Sequence, residues 1–233
     1  MPAPYHLIET SADAFVERAT MQIADVIRDA VEEKGSCVLG LSGGSTPRPI
    51  YEALAKEKDI DWWRVWMFLV DERFISSESP DSNLRLVRET LLRDSGTYEA
   101  EHLFAPHTDL SPEECVATYD RDLHRLLDEQ GHPDLVILGM GDDGHIASLF
   151  PPLSPQAFGP TLAIHTQTDR FAVRDRISVT LPVLEEAAAK IFLLKGEAKK
   201  KTLDDMMRSM DDLHRWPAKA LLEKPGTTVV LSL

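Results

Sequence analysis

The sequence predicts an α/β protein in which a mostly parallel sheet lies between two layers of helices, in the Rossmann-like arrangement. Uninterrupted apolar runs occur at residues 37–41, 65–70 and 135–138, as expected for strands buried on both faces. Segments with helical spacing of apolar residues alternate with these strands, which indicates parallel crossovers. No repeat or linker divides the sequence, so we expect a single domain over residues 1–233.

The elements of the first half follow from apolar spacing and helix-ending residues. Residues 12–33 place apolar side chains at helical intervals, and Gly35 is suited to end that helix. The elements predicted after it are a strand at 37–41, a helix at 47–56, a strand at 65–70 and a helix at 82–92.

The second half begins with a clear helix start. Ser111, Pro112 and Glu114 occupy the positions that N-cap, first-turn proline and capping-box glutamate take in helices. The elements predicted after it are strands at 135–138, 176–181, 191–194 and 227–233, and helices at 182–189 and after Gly196. The proline-rich stretch 150–158 predicts a loop within the same domain.

The net charge of the chain restricts the classes of partner that we expect it to bind. The formal net charge is −14, and a field of that sign repels nucleic acid and anionic membranes, so we expect neither as a partner. No apolar run is long enough to span a bilayer. Residues 1–6 carry no basic region before an apolar stretch, and two cysteines suit a reducing compartment, so we expect a cytoplasmic protein. Any anion site must be built locally from backbone N–H groups and a few cations.

The unusual polar segments all follow predicted strands. Residues 42–46, 71–73 and 139–145 come directly after the first three strands, and ligands of open α/β sheets bind beyond the carboxyl ends of the strands. We therefore expect the three segments to meet in one site.

The first of these segments has the composition of a phosphate-binding loop. Its glycines permit a tight turn that presents N–H groups, and its hydroxyls add donors near a helix start. The residues are Ser42, Gly43, Gly44, Ser45 and Thr46. The alternative is an ordinary turn with Thr46 as the helix N-cap, and the residues themselves leave both interpretations open. The endings of nucleotide-binding loops are absent.

The segment 139–145 delivers a carboxylate and an imidazole through a glycine-rich turn. His145 is suited to proton transfer near neutral pH, and Asp143 could orient its ring. The alternative is a structural histidine at a helix end. Metal-ligand spacings and a Gly-x-Ser-x-Gly nucleophile elbow are both missing, so we expect neither a metal nor a serine nucleophile.

Two further charged segments can be interpreted either as part of a functional site or as ordinary solvent-exposed surface. Asp71, Glu72 and Arg73 follow an apolar strand, either as site residues or as a solvated strand end with a local ion pair. Lys199 belongs to a lysine-rich helix start, either to meet a phosphate or to form a solvated face.

Together, residues 39–47, 70–73 with 80–83, and 139–151 resemble the 6-phosphogluconolactonases in order and spacing. The resemblance implies a fold of the sugar-phosphate isomerase type and hydrolysis of 6-phospho-D-glucono-1,5-lactone, the second step of the oxidative pentose phosphate pathway. It also implies a cytoplasmic enzyme without a cofactor, which we expect to be a monomer.

The resemblance also implies roles for single residues. The loop at 42–46 and Lys199 would bind phosphate, helped by Arg176. His145 would be the general base with Asp143 beside it, and Arg73 would face the reacting end of the sugar, with Asp71 in the same catalytic group.

Glucosamine-6-phosphate deaminases, which share the superfamily, are the main alternative. Their pattern resembles this chain in all three segments but places a glutamate where this chain has Phe150. Residues 169–175 depart from the lactonase pattern because they are more charged and poorer in proline.

Overall fold

The computed structural model describes residues 4–93 and 101–233 and shows a three-layer α/β fold. Seven strands within those residues form the central sheet, namely β1 (His6–Thr10), β2 (Cys37–Leu41), β3 (Val65–Leu69), β5 (Leu103–Phe104), β6 (Leu135–Leu138), β9 (Ala189–Lys195) and β10 (Thr227–Ser232). Their order is β1-β10-β9-β6-β2-β3-β5, and every neighbouring pair is parallel. The predicted fold class is confirmed.

Helices cover both faces of this sheet. Along β6, successive side chains point to opposite faces, so Leu135 and Ile137 join one core and Val136 and Leu138 the other. One core packs against α1 (Phe15–Lys34), α2 (Arg48–Leu54) and α3 (Asn83–Glu89). The other packs against α4 (Pro112–Gln130), α5 (Leu181–Glu185), α6 (Glu197–Arg208) and α7 (Lys219–Leu222).

The predicted helix ends are found where the chain carries the expected residues. Gly35 ends α1 in the left-handed conformation, with φ of 85°, and its N–H donates to the Val31 carbonyl. Ser111 and Glu114 form the reciprocal capping box at the start of α4, after which Pro112 opens the helix. These local rules placed both helices correctly.

A second, antiparallel sheet was not predicted. It is formed by β4 (Asp71–Arg73), β8 (Asp175–Val179) and β7 (Ala163–Gln167), with β8 in the middle. The expectation that residues 71–73 only follow a strand is therefore incomplete, because they pair with residues 176–178. This sheet brings Arg176 next to Arg73 in the register.

Other boundaries differ from the prediction as well. The helix expected at 182–189 ends at Glu185, because Ala189 already pairs with Leu135 as the first residue of β9. The edge strand β1 and the short α7 were not predicted at all. No helix within the described ranges is long and apolar enough to cross a membrane. Residues 1–3, which belong to the N-terminal segment considered above, lie outside the described ranges.

Candidate active site

The three polar segments meet in one cavity at the carboxyl ends of the strands. The cavity has a volume of about 730 Å³. All sequence-predicted site residues line it, namely Ser42, Gly43, Gly44, Ser45, Thr46, Asp71, Arg73, Asp143, His145, Arg176 and Lys199. The structure also brings in residues that the sequence did not single out for a role, namely Asn83, Ser148, Arg170, Phe171 and Lys195.

His145 and Asp143 form a close pair at the end of β6. His145 Nδ1 lies 2.6 Å from Asp143 Oδ1, and the backbone N–H of His145 donates to the same oxygen at 3.1 Å. Because Nδ1 is engaged by a carboxylate, the neutral ring carries its proton there and Nε2 is the acceptor. The residues after His145 form a turn rather than a helix, so the helix-end alternative is wrong.

Gly141 makes room for this pair. A Cβ atom on Gly141 would lie 2.0 Å from His145 Nδ1 and 2.6 Å from Asp143 Oδ1. Any side chain at this position would therefore displace the imidazole. The glycine-rich sequence of the turn thus has a specific steric cause at residue 141.

Two arginines contact Asp143, one at its carboxylate and one at its main-chain carbonyl. Arg170 Nη1 lies 3.0 Å from Asp143 Oδ2, and Arg215 Nη1 donates to the Asp143 main-chain carbonyl at 2.9 Å. Burial raises the pKa of Asp143, but the hydrogen bond from His145, the His145 charge and Arg170 outweigh it and lower the pKa to about 2. Asp143 is thus a carboxylate at neutral pH.

Residues 215–218, which lead into α7, pack against the 139–145 turn on the side away from the cavity. A Cβ on Gly144 would lie 2.5 Å from the Trp216 ring, and Gly144 has a φ of 81°. The Ala218 N–H donates to the Gly144 carbonyl at 2.9 Å, and Arg215 stacks on Trp216 with 3.7 Å between Cζ and the ring centroid. The 139–145 turn is therefore fixed by contacts on its rear side.

The loop at 42–46 differs from the 139–145 turn because its main-chain donors are unpaired. The main-chain N–H groups of Gly43, Gly44, Ser45 and Thr46 have no hydrogen-bond partner among residues 4–93 and 101–233. A Cβ on Gly44 would meet no atom within 4 Å. Helix α2 takes Pro47 as its N-cap without a side-chain cap, so the alternative in which Thr46 caps the helix is wrong. The loop presents free donors to the cavity.

Asn83 connects this loop to the 71–73 segment. Its side chain occupies the space that a Cβ on Gly43 would need. Asn83 Nδ2 donates to the Asp71 carbonyl at 2.8 Å, and Asn83 Oδ1 accepts from Arg73 Nη1 at 2.5 Å. Asp71 Oδ2 accepts from Ser148 Oγ at 2.6 Å. Asp71 is 8% exposed, so this segment is not a solvated strand end.

Glu72 is a buried carboxylate that sequence reasoning grouped with its neighbours without a role. It accepts from the backbone N–H groups of Asn83 and Leu84, both at 2.8 Å, and from Ser82 Oγ at 2.9 Å. Burial raises its pKa although these donors oppose the shift. Glu72 therefore fixes the start of α3 and with it the position of Asn83.

Arg73 and Arg176 place two guanidinium groups side by side. They are register partners in β4 and β8, and among the described residues neither guanidinium has a carboxylate within 4.0 Å. Burial and then the Arg73 charge lower the pKa of Arg176. Arg176 Cζ lies 5.5 Å from the Phe171 ring centroid. The carboxylates of Asp71, Glu72 and Asp81 also act on the Arg176 charge, but none of them pairs directly with either guanidinium. The two adjacent cations can therefore still attract an anion.

Lys199, in the first turn of α6, is hydrogen-bonded to the 139–145 turn. Its Nζ donates to the Met140 carbonyl at 2.7 Å and to Asp142 Oδ1 at 2.6 Å. The alternative of a purely solvated lysine is therefore wrong. Asp142 is 82% exposed, so this ion pair is open to exchange with another anion.

Titratable side chains do not form a metal-type cluster in the described ranges. No group of three or more His, Cys, Asp or Glu residues there is arranged to hold a metal ion.

Comparison with known proteins matches this chain to a known family. The family model described as "Glucosamine-6-phosphate isomerases/6-phosphogluconolactonase" matches residues 10–230. The chain belongs to this family.

Curated relatives carry the second of these two activities in their names. A probable 6-phosphogluconolactonase from Dictyostelium discoideum is 39% identical over 226 residues, covering 96% of both chains. The 6-phosphogluconolactonase from Synechocystis is 34% identical over 221 residues, covering 93% of this chain and 90% of the relative.

Solved structures agree with these relatives. The 6-phosphogluconolactonase from Plasmodium vivax has a TM-score of 0.88 at 28% identity and covers 97% of this chain and 90% of its own. The 6-phosphogluconolactonase from Shewanella baltica has a TM-score of 0.87 at 28% identity and covers 98% of both chains. The family predicted from the three segments is confirmed.

Proposed function

We propose that this chain hydrolyses 6-phospho-D-glucono-1,5-lactone to 6-phosphogluconate, the second step of the oxidative pentose phosphate pathway. The family and the names of its relatives support the activity. The observation that carries the proposal is the His145–Asp143 pair, which faces a cavity that also contains main-chain N–H donors and the cations Arg73 and Arg176. Lactone hydrolysis needs a base, an anion anchor and a site that stabilises an oxyanion.

The phosphate is bound by groups other than His145 and Arg73. The N–H groups of Gly43, Gly44, Ser45 and Thr46 suit its oxygens, and Ser42 completes this loop. Lys199 adds a charge when its contact with Asp142 is exchanged for the phosphate, and Arg176 in the same cavity adds a second charge. Because the chain carries a net charge of −14, these local donors overcome the unfavourable long-range field.

His145 acts as the general base. Nε2 takes a proton from water as the water oxygen attacks the lactone carbonyl carbon. The tetrahedral intermediate then collapses with cleavage of the bond between that carbon and the ring oxygen, and the imidazolium returns the proton to the ring oxygen. Asp143 holds the required tautomer and stabilises the imidazolium, so no covalent intermediate is needed.

Arg73 stabilises the oxyanion that forms on the carbonyl oxygen. Its guanidinium is held by Asn83 Oδ1 and by the Asp81 carbonyl at 3.0 Å, so the charge is oriented before the substrate arrives. Asp71 accepts from Ser148 and Asn83, and we assign it to holding this arrangement rather than to proton exchange.

Turnover of fresh lactone tests the proposal. We expect acid release above the uncatalysed rate, measured with a pH indicator at several enzyme concentrations. The same protein is assayed with glucosamine 6-phosphate for ammonia, and we expect none, because Phe150 stands where the deaminase pattern has a carboxylate. Ammonia release without lactone hydrolysis would overturn the assignment.

The oligomeric state, the location and the cofactor requirement of the enzyme can also be proposed. We propose that residues 1–233 act as one domain, as a monomer in the cytoplasm, without metal or other cofactor. Light scattering should give a mass near 26.1 kDa, and activity should survive dialysis against a chelator. A stable dimer, or activity restored only by an added divalent metal, would contradict this part.

A further inference from the structure

A hairpin that has no role in the catalytic steps above reaches over the His145–Asp143 pair. It connects β7 to β8 and is closed by the Thr168 N–H, which donates to the Arg174 carbonyl at 3.0 Å. Within it, the Arg170 N–H donates to Thr168 Oγ1 at 3.2 Å. The hairpin therefore has an ordered base from which Arg170 extends to the catalytic turn.

The two oxygens of Asp143 are unequally satisfied. Oδ1 is hydrogen-bonded to the His145 ring nitrogen Nδ1 and to the His145 backbone N–H. Oδ2 is buried and has no hydrogen bond within the described chain; its close partner is the Arg170 guanidinium, with Nη1 at 3.0 Å. A buried carboxylate oxygen that depends on one cation is sensitive to the loss of that cation.

The two partners differ in exposure. The Asp143 side chain is 6% exposed, whereas the Arg170 side chain is 59% exposed. An exposed arginine adds little to folding stability through such a pair. Its charge nevertheless acts on a buried carboxylate that touches the catalytic imidazole, so its main effect falls on the chemistry.

We propose that Arg170 is a positioning residue that holds the Asp143 carboxylate in line with His145 and limits how strongly this carboxylate favours the imidazolium. The inference rests on the proposed function, in which neutral His145 is the base. An unopposed carboxylate would keep the ring protonated to higher pH and so withhold the base; Arg170 offsets part of that effect.

Several other charges face the pair. Arg215 contacts the Asp143 main-chain carbonyl from the segment before α7, and Lys199 lies on α6 with Asp142 as its partner. The Arg215 and Lys199 contacts are with a main-chain oxygen and with a neighbouring carboxylate. Arg170 is the cation placed on the Asp143 side chain, so its removal should change the titration in one direction.

The test compares Arg170→Met with Arg170→Lys. For Arg170→Met we expect kcat to fall roughly five- to thirtyfold with little change in KM, because phosphate is bound elsewhere. We also expect the acid limb of the kcat/KM profile to move to higher pH, because no cation in the described chain then opposes the Asp143 carboxylate. Arg170→Lys keeps the charge, so its acid limb should stay near that of the wild type.

Arg174→Met is the matched control. Arg174 lies on the same hairpin and pairs with exposed Asp169, so this variant has the same change in net charge without touching Asp143. Its acid limb should coincide with that of the wild type. If Arg170→Met fails to fold, Arg170→Gln carries the same expectation.

A readout without turnover separates the two proposals. NMR titration of the His145 ring should show a higher midpoint in Arg170→Met than in wild type and Arg174→Met. Coincident midpoints and acid limbs in all three proteins would overturn the role of Arg170. Absence of wild-type lactone turnover together with a shifted midpoint would overturn the proposed function and leave the Arg170 contact standing.

Discussion

The two loops that frame the cavity are built in opposite ways. The 139–145 turn is closely packed at two of its glycines, because Gly141 lies against the His145 ring and Gly144 against Trp216. The 42–46 loop keeps its N–H groups without partners in the described chain, and its Gly44 has open space where a Cβ would stand. A catalytic imidazole needs one fixed geometry, whereas an anion anchor needs unpaired donors.

This difference predicts which kinetic constant a substitution in each loop should change. Changes at Gly141, Asp143 and His145 should reduce kcat, because they disturb the groups proposed to act at the reacting carbon. Changes at the anchor should mainly raise KM, because contacts with the phosphate form in the ground state and the transition state alike.

The largest effect short of removing the base is expected at Asp143. Asp143→Asn removes the charge that orients and stabilises the His145 imidazolium, so kcat should fall by roughly 10²–10⁴-fold. Affinity for 6-phosphogluconate, measured by calorimetry, should change little. An Asp143→Asn variant that is folded and retains wild-type kcat would show that the pair is structural only.

The next effect tests the steric part of the comparison. Gly141→Ala would place a Cβ 2.0 Å from His145 Nδ1, and a displacement of the ring by about 1 Å can lower kcat about a hundredfold. Gly139→Ala is the control, because a Cβ there meets nothing within 4 Å in the same turn. Equal kcat values for the two variants would break the claim that the turn is closely fitted.

At the anchor, Lys199→Met should raise KM by roughly 10- to 100-fold with a smaller change in kcat, the range expected for one lost charged hydrogen bond. Lys200→Met removes the same charge one residue later, where the lysine pairs with Glu9 outside the cavity. Its KM should match that of the wild type. A KM unaffected by Lys199→Met would remove this lysine from the anchor.

The smallest effect concerns stability and pH. Although burial opposes the shift, the pKa of Asp143 is lowered to about 2, below the value of about 3.9 in an unfolded chain. Its stabilising contribution, about 2 kcal/mol, is therefore present above pH 4 and is lost as pH falls toward 2.

Denaturant unfolding of wild type and Asp143→Asn at several pH values checks this contribution. The difference in unfolding free energy should shrink as the pH falls from about 4 toward 2. A difference that does not depend on pH would contradict the lowered pKa.

The sequence was informative wherever a local rule decides the structure. Continuous apolar runs identified β2, β3 and β6, and the polar segments that follow them led directly to His145, Asp143 and the 42–46 loop. In a parallel sheet these strand ends must lie at one edge, so adjacency in space follows from position in the chain.

The remainder depends on long-range pairing that no local pattern encodes. The short strand Asp71–Arg73 carries three charges, and only its pairing with β8 makes it a strand. That pairing also sets Arg176 beside Arg73. Arg170 lies in a charged hairpin, and its contact with Asp143 arises because β7 and β8 place this hairpin next to the 139–145 turn.

Asn83 could have been found from sequence. It belongs to residues 80–83, which took part in the family resemblance, but a polar residue at a helix start reads first as part of a cap. Its actual contacts with Asp71 and Arg73 become visible only when Glu72 is seen to bind the start of α3.

We propose that His145 performs the proton transfer and that other residues bind the phosphate of the substrate. The variant His145→Gln tests this division most directly. Glutamine keeps size and hydrogen bonding but cannot accept a proton at neutral pH. We predict that kcat on fresh lactone falls by roughly 10²–10⁴-fold, after subtraction of the uncatalysed reaction, while the affinity for 6-phosphogluconate stays close to that of the wild type. Wild-type kcat in a folded His145→Gln variant would contradict the account.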